Sequence, residues 1–248
     1  MIKVFLSALE ASPEFHIIDK VIDKYKNNLM SYYYIKNKVD IAEKIREKSE
    51  LVLIDSGAHS LQKGKKVDWD KYTKEYAKFI RKFDKLNVIG YFEMDVDNII
   101  GYEKVLELRK ILEGVSDKII PVWHKNRGIE EYKRMCKQYQ GKIIAITGFK
   151  NEDIQDHQYL MFLKYAKKYC CKVHCLGMTR KKVLDKVPFD YVDSSSWKQA
   201  AIYGRINNRK VTKEFSKKNR AIVMAENYKQ GMKMQEHYYN KWRKICKD

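Results

Sequence analysis

Leu51-Val52-Leu53-Ile54-Asp55-Ser56-Gly57-Ala58-His59 is the stretch on which the reading of this chain turns. Four apolar residues run without a break, a carboxylate follows, and two small residues then permit a tight turn. A strand with one wet face would alternate apolar and polar side chains. An unbroken run instead fits a strand covered on both faces, as in a parallel sheet. The same grammar recurs on both sides of it. Lys3-Val4-Phe5-Leu6 precedes it; Val88 to Phe92, Ile119 to Trp123, Ile143 to Ile146, Val173 to Leu176 and Tyr191-Val192 follow.

Between these runs lie segments of helical period. Trp69, Tyr72, Tyr76, Phe79, Ile80 and Phe83 recur at steps of three and four, with Lys and Glu opposite. Tyr102–Leu112, Ile129–Tyr139 and Tyr159–Tyr169 read the same way, and Asp68 and Thr179 are placed to cap helices. Strand and helix alternate at least six times, which means an α/β fold with right-handed crossovers. A closed (β/α)8 TIM-like barrel and an open doubly wound sheet both have this order. No G-x-G-x-x-G or P-loop pattern follows a run, which disfavours the nucleotide-binding open sheet. The barrel is therefore expected, with a basic, mostly helical C-terminal extension. Neither Lys210–Phe215 nor Ala221–Met224 makes a persuasive eighth strand. The expected division is a βα-barrel portion over 1–197 and a basic segment over 198–248 that completes the barrel and docks nucleic acid.

Charge sharpens the division. The 248 residues carry 51 Lys and Arg against 32 Asp and Glu, a net of +19. Residues 198–248 alone hold 14 basic and four acidic side chains, so over half of the surplus lies in the last fifth of the chain. A polyanionic partner is the natural reading, because each cation that meets a phosphate releases condensed counterions; a solvated lysine-rich surface is the alternative. The five cysteines are odd in number and show no C-x-x-C spacing, which suggests free thiols in a reducing cytoplasm. No run of about 20 apolar residues is present to cross a bilayer, and the first residues carry no cleavage-site pattern of a signal peptide.

If the fold is a barrel, chemistry belongs where strands end. Asp55, Asp95, His124, Gly148, Leu176-Gly177 and Asp193 each follow an apolar run. Asp190 competes with Asp193, and Glu93 and Asp97 flank Asp95 at two-residue steps. His174 lies within an apolar run and reads as a core histidine.

The order of Asp55-Ser56-Gly57-Ala58, Asp95, Ile146-Thr147-Gly148, Leu176-Gly177 and Asp190-Tyr191-Val192-Asp193-Ser194 resembles the tRNA-guanine transglycosylase superfamily. The chain's size and Val192-Asp193-Ser194-Ser195-Ser196-Trp197 make it most similar to the phage-type 7-deazaguanine DNA transglycosylases, and the resemblance spans roughly Ile2 to Trp197. It implies a pentosyltransferase that replaces guanine in DNA with a 7-deazaguanine, such as the 7-cyano form, through a covalent aspartyl-glycosyl intermediate. Asp193 would be the nucleophile, Asp55 the general acid/base and Asp95 the acceptor for N–H groups of the base. Gly148 and His124 would contact the other base edge, His59 and Leu176 would flank its plane, and Ser56 would support Asp55. Aligning the family's hydrophobic-Asp-hydrophobic-hydrophobic-Asp run on Phe189–Asp193 favours Asp193 over Asp190.

The zinc-binding cysteine cluster of the tRNA enzymes has no counterpart after Trp197, so neither structural zinc nor any other cofactor is expected. Expected partners are DNA and the free guanine and 7-deazaguanine bases, with no membrane and with a homodimer as an option. The setting would be the cytoplasm, the host's if the chain is phage-encoded. Arg205, Arg209, Lys210, Lys213, Lys217, Lys218 and Arg220 would hold phosphates, with Trp197 and Tyr203 stacking beside a flipped base. The alternatives are the same exchange on tRNA, or a catalytically silent nucleic-acid-binding subunit.

Overall fold

The structure is a computed structural model, and it describes residues 1–61, 67–147, 154–206 and 209–245. Nine short parallel strands form its sheet: β1 Lys3–Ser7, β2 Tyr25–Ser31, β3 Ser49–Asp55, β4 Val88–Phe92, β5 Ile119–Ile120, β6 Val122–Trp123, β7 Ile143–Thr147, β8 Lys172–Leu176 and β9 Tyr191–Ser194. Their order is β5-β4-β3-β2-β1-β9-β8-β7-β6. The two ends of this order are consecutive in the chain, separated only by Pro121. Proline has no N–H to give the ladder, so one strand is divided into two pieces. The first piece pairs with β4 and the second with β7, and the Pro121 carbonyl still accepts from Ala145 N at 2.8 Å. The sheet thus closes into a barrel of eight strand positions. It is a (β/α)8 TIM-like barrel with a helical C-terminal end.

The strand that the apolar pattern conceals is β2, not a segment near the C-terminus. It reads Tyr-Lys-Asn-Asn-Leu-Met-Ser, and its two asparagines are buried. Each asparagine has partners that make burial tolerable. Asn28 Nδ2 donates to Ser49 Oγ at 3.0 Å, Asn28 Oδ1 accepts from Tyr228 Oη at 2.8 Å, and Asn27 Nδ2 reaches Val4 O at 3.3 Å.

Inside the barrel, Phe5, Leu29, Leu53, Phe92, Ile120, Val122, Ala145 and Tyr191 fill the space between strands. Two larger apolar clusters lie outside it, where strands meet helices. The helix Trp69–Phe83 buries the aromatic stripe read from its period, and Asp68 caps it by accepting from Lys71 N at 2.9 Å. Thr179 is not a cap: the short helix Lys181–Leu184 has Arg180 at that position and no side-chain cap.

After β9 come the helix Ser196–Ile202, a two-rung antiparallel pair of Arg205–Ile206 with Arg209–Lys210, the helix Lys213–Lys218 and the long helix Arg220–Ile245. The long helix packs on β1 and on the helix Ser196–Ile202. Gln235 Nε2 donates to the carbonyls of Val4 and Asn27 at 2.8 and 2.7 Å, and Trp242 Nε1 donates to Leu184 O at 2.9 Å. Gly231 lies against Leu6, where a Cβ would approach a leucine methyl to 2.9 Å. No helix among the described residues is long and apolar enough to cross a membrane.

Candidate active site

In a parallel barrel every strand delivers its C-terminal residues to the same rim. That rim carries Ser7, Ser31, Asp55, His124, Thr147, Gly177 and Asp193, with Asp95 three residues beyond β4. Asp190 precedes β9 and lies at the opposite end, where its carboxylate accepts from Val173 N at 2.8 Å. It is separated from Asp193 by the length of the strand.

Asp193 is held from three directions. Ser7 Oγ, on the neighbouring β1, donates to Oδ2 at 3.2 Å, and Gly177 N donates to Oδ1 at 2.8 Å. His174 Nε2 lies 3.1 Å from the same Oδ1. His174 is fully buried inside the barrel, with its ring near those of Phe5, Phe92 and Tyr191. The core reading of this histidine is therefore incomplete, because strand alternation turns it toward the carboxylate from below.

Asp55 closes β3. Gly57 N donates to its Oδ2 at 2.8 Å, and Ser31 Oγ donates to the same oxygen at 3.3 Å. Gly57 has φ +75°, and a Cβ there would come within 2.4 Å of Tyr33 Cβ, so the turn that presents this N–H requires glycine. Burial pushes the Asp55 carboxyl up to about 6, and the charges of Asp193 and Asp95 add to the effect, against the two hydrogen bonds that favour ionisation. All three aspartates stand at or just past the C-terminal ends of parallel strands, on the same rim.

Asp95 belongs to a second group. His124 Nε2 lies 2.7 and 2.8 Å from its two oxygens, and Arg127 Nη2 is 3.3 Å from Oδ1. Burial disfavours the His124 imidazolium, but Asp95 outweighs it and raises the histidine above its ordinary value. Arg127 also pairs with Asp97 at 2.9 Å and with buried Glu93 at 3.2 Å, and its guanidinium lies over the Tyr102 ring. Glu93 completes a buried pair with Arg109 at 2.5 Å and accepts from Val122 N at 2.7 Å. Of the three alternating acids, Glu93 is thus structural and Asp97 is neutralised by Arg127. Asp95 retains exposure at the mouth, with 28 % of its side chain accessible.

Among the described residues, Asp95, Asp97 and His124 are the one group whose ligand atoms approach one another closely enough for a metal, within 4.8 Å. Their oxygens already face Arg127, and His124 already faces Asp95. The arrangement is that of an ion-paired network.

The other expected residues fall in distinct places. His59 is exposed on the short helix Ala58–Leu61, while Leu176 is half-buried at the end of β8. Ser56 is buried, with its hydroxyl accepting from Ala58 N at 3.5 Å, so it shapes the turn after Asp55. Gly148 lies outside the described residues. Arg205, Arg209, Lys210, Lys213, Lys217, Lys218 and Arg220 are all exposed, and Tyr203 is 70 % exposed beside them. Arg220 pairs with Glu14 at 2.5 Å. Trp197 cannot stack on a base as expected: it is buried against Tyr228, and its indole N–H donates to Ser7 O at 2.9 Å. It anchors the helix after Asp193 to the strand that supplies Ser7.

Four residues of the mouth escape sequence reasoning: Ser7, Ser31, Glu10 and Arg127. The first two end strands, a signal available in principle. Glu10 sits in a loop and Arg127 ends the short 3-10 helix Lys125–Arg127, and nothing in their local sequence marks them.

No protein-family model matches the chain, and no curated protein does. Among solved structures, it is similar to the mutant (E103A) tryptophan synthase alpha-subunit from the hyperthermophile Pyrococcus furiosus. The likeness covers 92% of this chain and 97% of that one, at 16% identity and a TM-score of 0.52. It bears on architecture alone. The shared fold is the barrel.

Proposed function

We propose that this chain is a base-exchange transglycosylase that replaces guanine in DNA with a 7-deazaguanine. One observation carries the reading: two carboxylates end strands at a single barrel mouth, each held by hydrogen-bond donors. Ser7 Oγ and Gly177 N fix Asp193, Gly57 N and Ser31 Oγ fix Asp55, and burial pushes the Asp55 carboxyl up to about 6. Pairs of this kind divide the work of nucleophile and acid.

The step balances without a cofactor. An oxygen of Asp193 attacks C1′ and the C1′–N9 bond breaks, its electron pair leaving with guanine as guanine takes the Asp55 proton. The incoming base then returns a proton to Asp55 as its N9 attacks C1′, and the Asp193 ester bond breaks. Asp95, backed by His124 and Arg127, would accept N–H groups of the base. The exposed cations of residues 205–220 would hold phosphates of a strand whose guanine has left the stack.

Incubating the protein with labelled guanine and either duplex DNA or tRNA tests this directly. Label is expected in DNA, and Asp193→Ala should abolish its incorporation while leaving DNA affinity largely intact. Incorporation into tRNA alone would reassign the substrate. Incorporation unchanged by Asp193→Ala would remove the mechanism, and no incorporation into either polymer would leave a binding protein.

A further inference from the structure

Glu10 lies in the loop after β1 and is 2 % exposed, yet it has no role in the exchange just described. Its Oε1 accepts from Ser31 N at 3.0 Å. Its Oε2 is buried with no hydrogen-bond partner among the described residues. Ser31 is the same residue whose hydroxyl donates to Asp55. One residue at the end of β2 therefore ties two carboxylates together, with its N–H on one and its O–H on the other.

The loop itself is pinned. Lys198, on the helix that follows Asp193, donates from Nζ to Ala8 O at 3.4 Å and Ala11 O at 3.0 Å, on both sides of Glu10. Ala8 has φ 72°, a left-handed conformation that costs a non-glycine residue energy and persists only where the surroundings enforce it. A buried carboxyl with one unpartnered oxygen, in a strained and strapped loop, is expensive to maintain for packing alone.

The geometry points to Glu10 as a positioning residue for Asp55, orienting its carboxyl through Ser31 and coupling its ionisation to a second proton. The coupling deepens the reading of Asp55 as the acid/base and rests on that reading for its catalytic consequence. The charged and titratable groups facing Glu10 are Asp55 from β3, Lys198 from the helix Ser196–Ile202 and Tyr228 from the long C-terminal helix. Lys198 in turn faces Glu14, Arg220 and Lys38. Burial pushes Glu10 up to about 7, against the pull of Ser31 N–H and Lys198, so it holds a proton while Asp55 titrates near 6. When Glu10 then ionises, its charge acts on a carboxylate already formed.

Carbon-13 NMR of protein labelled at aspartate carboxyls tests this, with Asp55→Asn assigning the resonance. In the wild type, the Asp55 signal should move in two transitions, a main one near 6 and a smaller one near 7. Glu10→Gln keeps the acceptor for Ser31 N and should leave a single transition. Ser31→Ala removes one donor to the Asp55 carboxylate and should raise its main midpoint, because the anion is less favoured. A single transition in the wild type, or an Asp55 curve unaltered in both variants, would overturn the coupling. The NMR result does not depend on activity. If the two transitions are present and no base exchange is detected, the functional reading fails and the coupling stands.

Discussion

Asp55 and Glu10 are two carboxyls whose folded values lie above their ordinary ones, and this fixes the sign of their effect on stability. Between about 4.5 and 7 the folded chain keeps the Glu10 proton that the unfolded chain has released. The stability that this proton provides is therefore present at low pH and lost as pH rises through about 7. For Asp55 the corresponding window runs from about 3.8 to about 6. Glu10→Gln removes the first contribution, so its stability relative to wild type should climb across that window. The full span is on the order of 3 kcal/mol. Urea midpoints at pH 4.5, 6 and 7.5 check it, and a difference flat with pH would refute the assignment. On the proposed function, Asp55→Asn should lower base exchange by about 10²- to 10⁴-fold. The wild-type rate should fall above the Asp55 midpoint if proton donation limits it; a pH-rate profile with no limb near 6 would argue against that role. The three aspartates were legible because each ends or follows an apolar run. The contacts of Glu10 with Ser31 and of His174 with Asp193 were not, because they come from which strands become neighbours. Ring order puts β1 between β2 and β9, and no local pattern encodes that.

At the scale of elements, β2 shows where pattern reading fails. Hydrophobic periodicity finds strands by their apolar side chains, whereas Asn27 and Asn28 are held in the interior by hydrogen bonds with Val4, Ser49 and Tyr228. Two of those partners lie on strands and one on a helix 200 residues away, so the segment becomes a strand only in the assembled barrel. Residues 210–224 supply no eighth barrel strand for the complementary reason: they are mostly helical. Asn28→Ala leaves the buried Tyr228 hydroxyl without its acceptor, and it should cost about 1–3 kcal/mol of unfolding free energy. Tyr228→Phe added to Asn28→Ala should then cost much less than Tyr228→Phe alone, because the polar atom left stranded is removed with it. Equal cost in both backgrounds, by denaturant unfolding, would mean the pair is not coupled. The Pro121 break is the other feature of this scale. Val122 N, just past the break, finds Glu93, and Arg109 and Arg127 neutralise that acid. Arg109→Ala would leave Glu93 with one cation in place of two. A loss of about 3 kcal/mol or more is expected.

For the whole molecule, the question is what a surplus of positive charge does once the chain has folded. The barrel class and the rim of polar strand-end residues were readable from the sequence, but the disposition of the last fifth was not. Its apolar residues divide: Val223, Tyr228, Tyr238 and Trp242 join Trp197 in the core, while Ile202, Tyr203, Phe215 and Ile222 remain at the surface among cations. Burial of Trp197 removes one of the two expected stacking residues and leaves Tyr203 as the exposed one. Arg205, Arg209 and Lys210 stand on the antiparallel pair just beyond it and make no ion pair among the described residues, so their charge is available to phosphate. Contact with phosphate and mere solvation differ in one measurable way. Each phosphate neutralised releases counterions, so the logarithm of affinity falls against the logarithm of salt by about 0.9 per contact on duplex DNA and about 0.7 on a single strand. Replacing all three by Gln should weaken binding at low salt and reduce that slope by about two to three. Tyr203→Ala should weaken single-strand binding by about 1–3 kcal/mol while leaving the slope in place, because stacking releases no counterions. An unchanged slope in the triple variant would return these cations to a solvated surface and move phosphate recognition elsewhere on the rim.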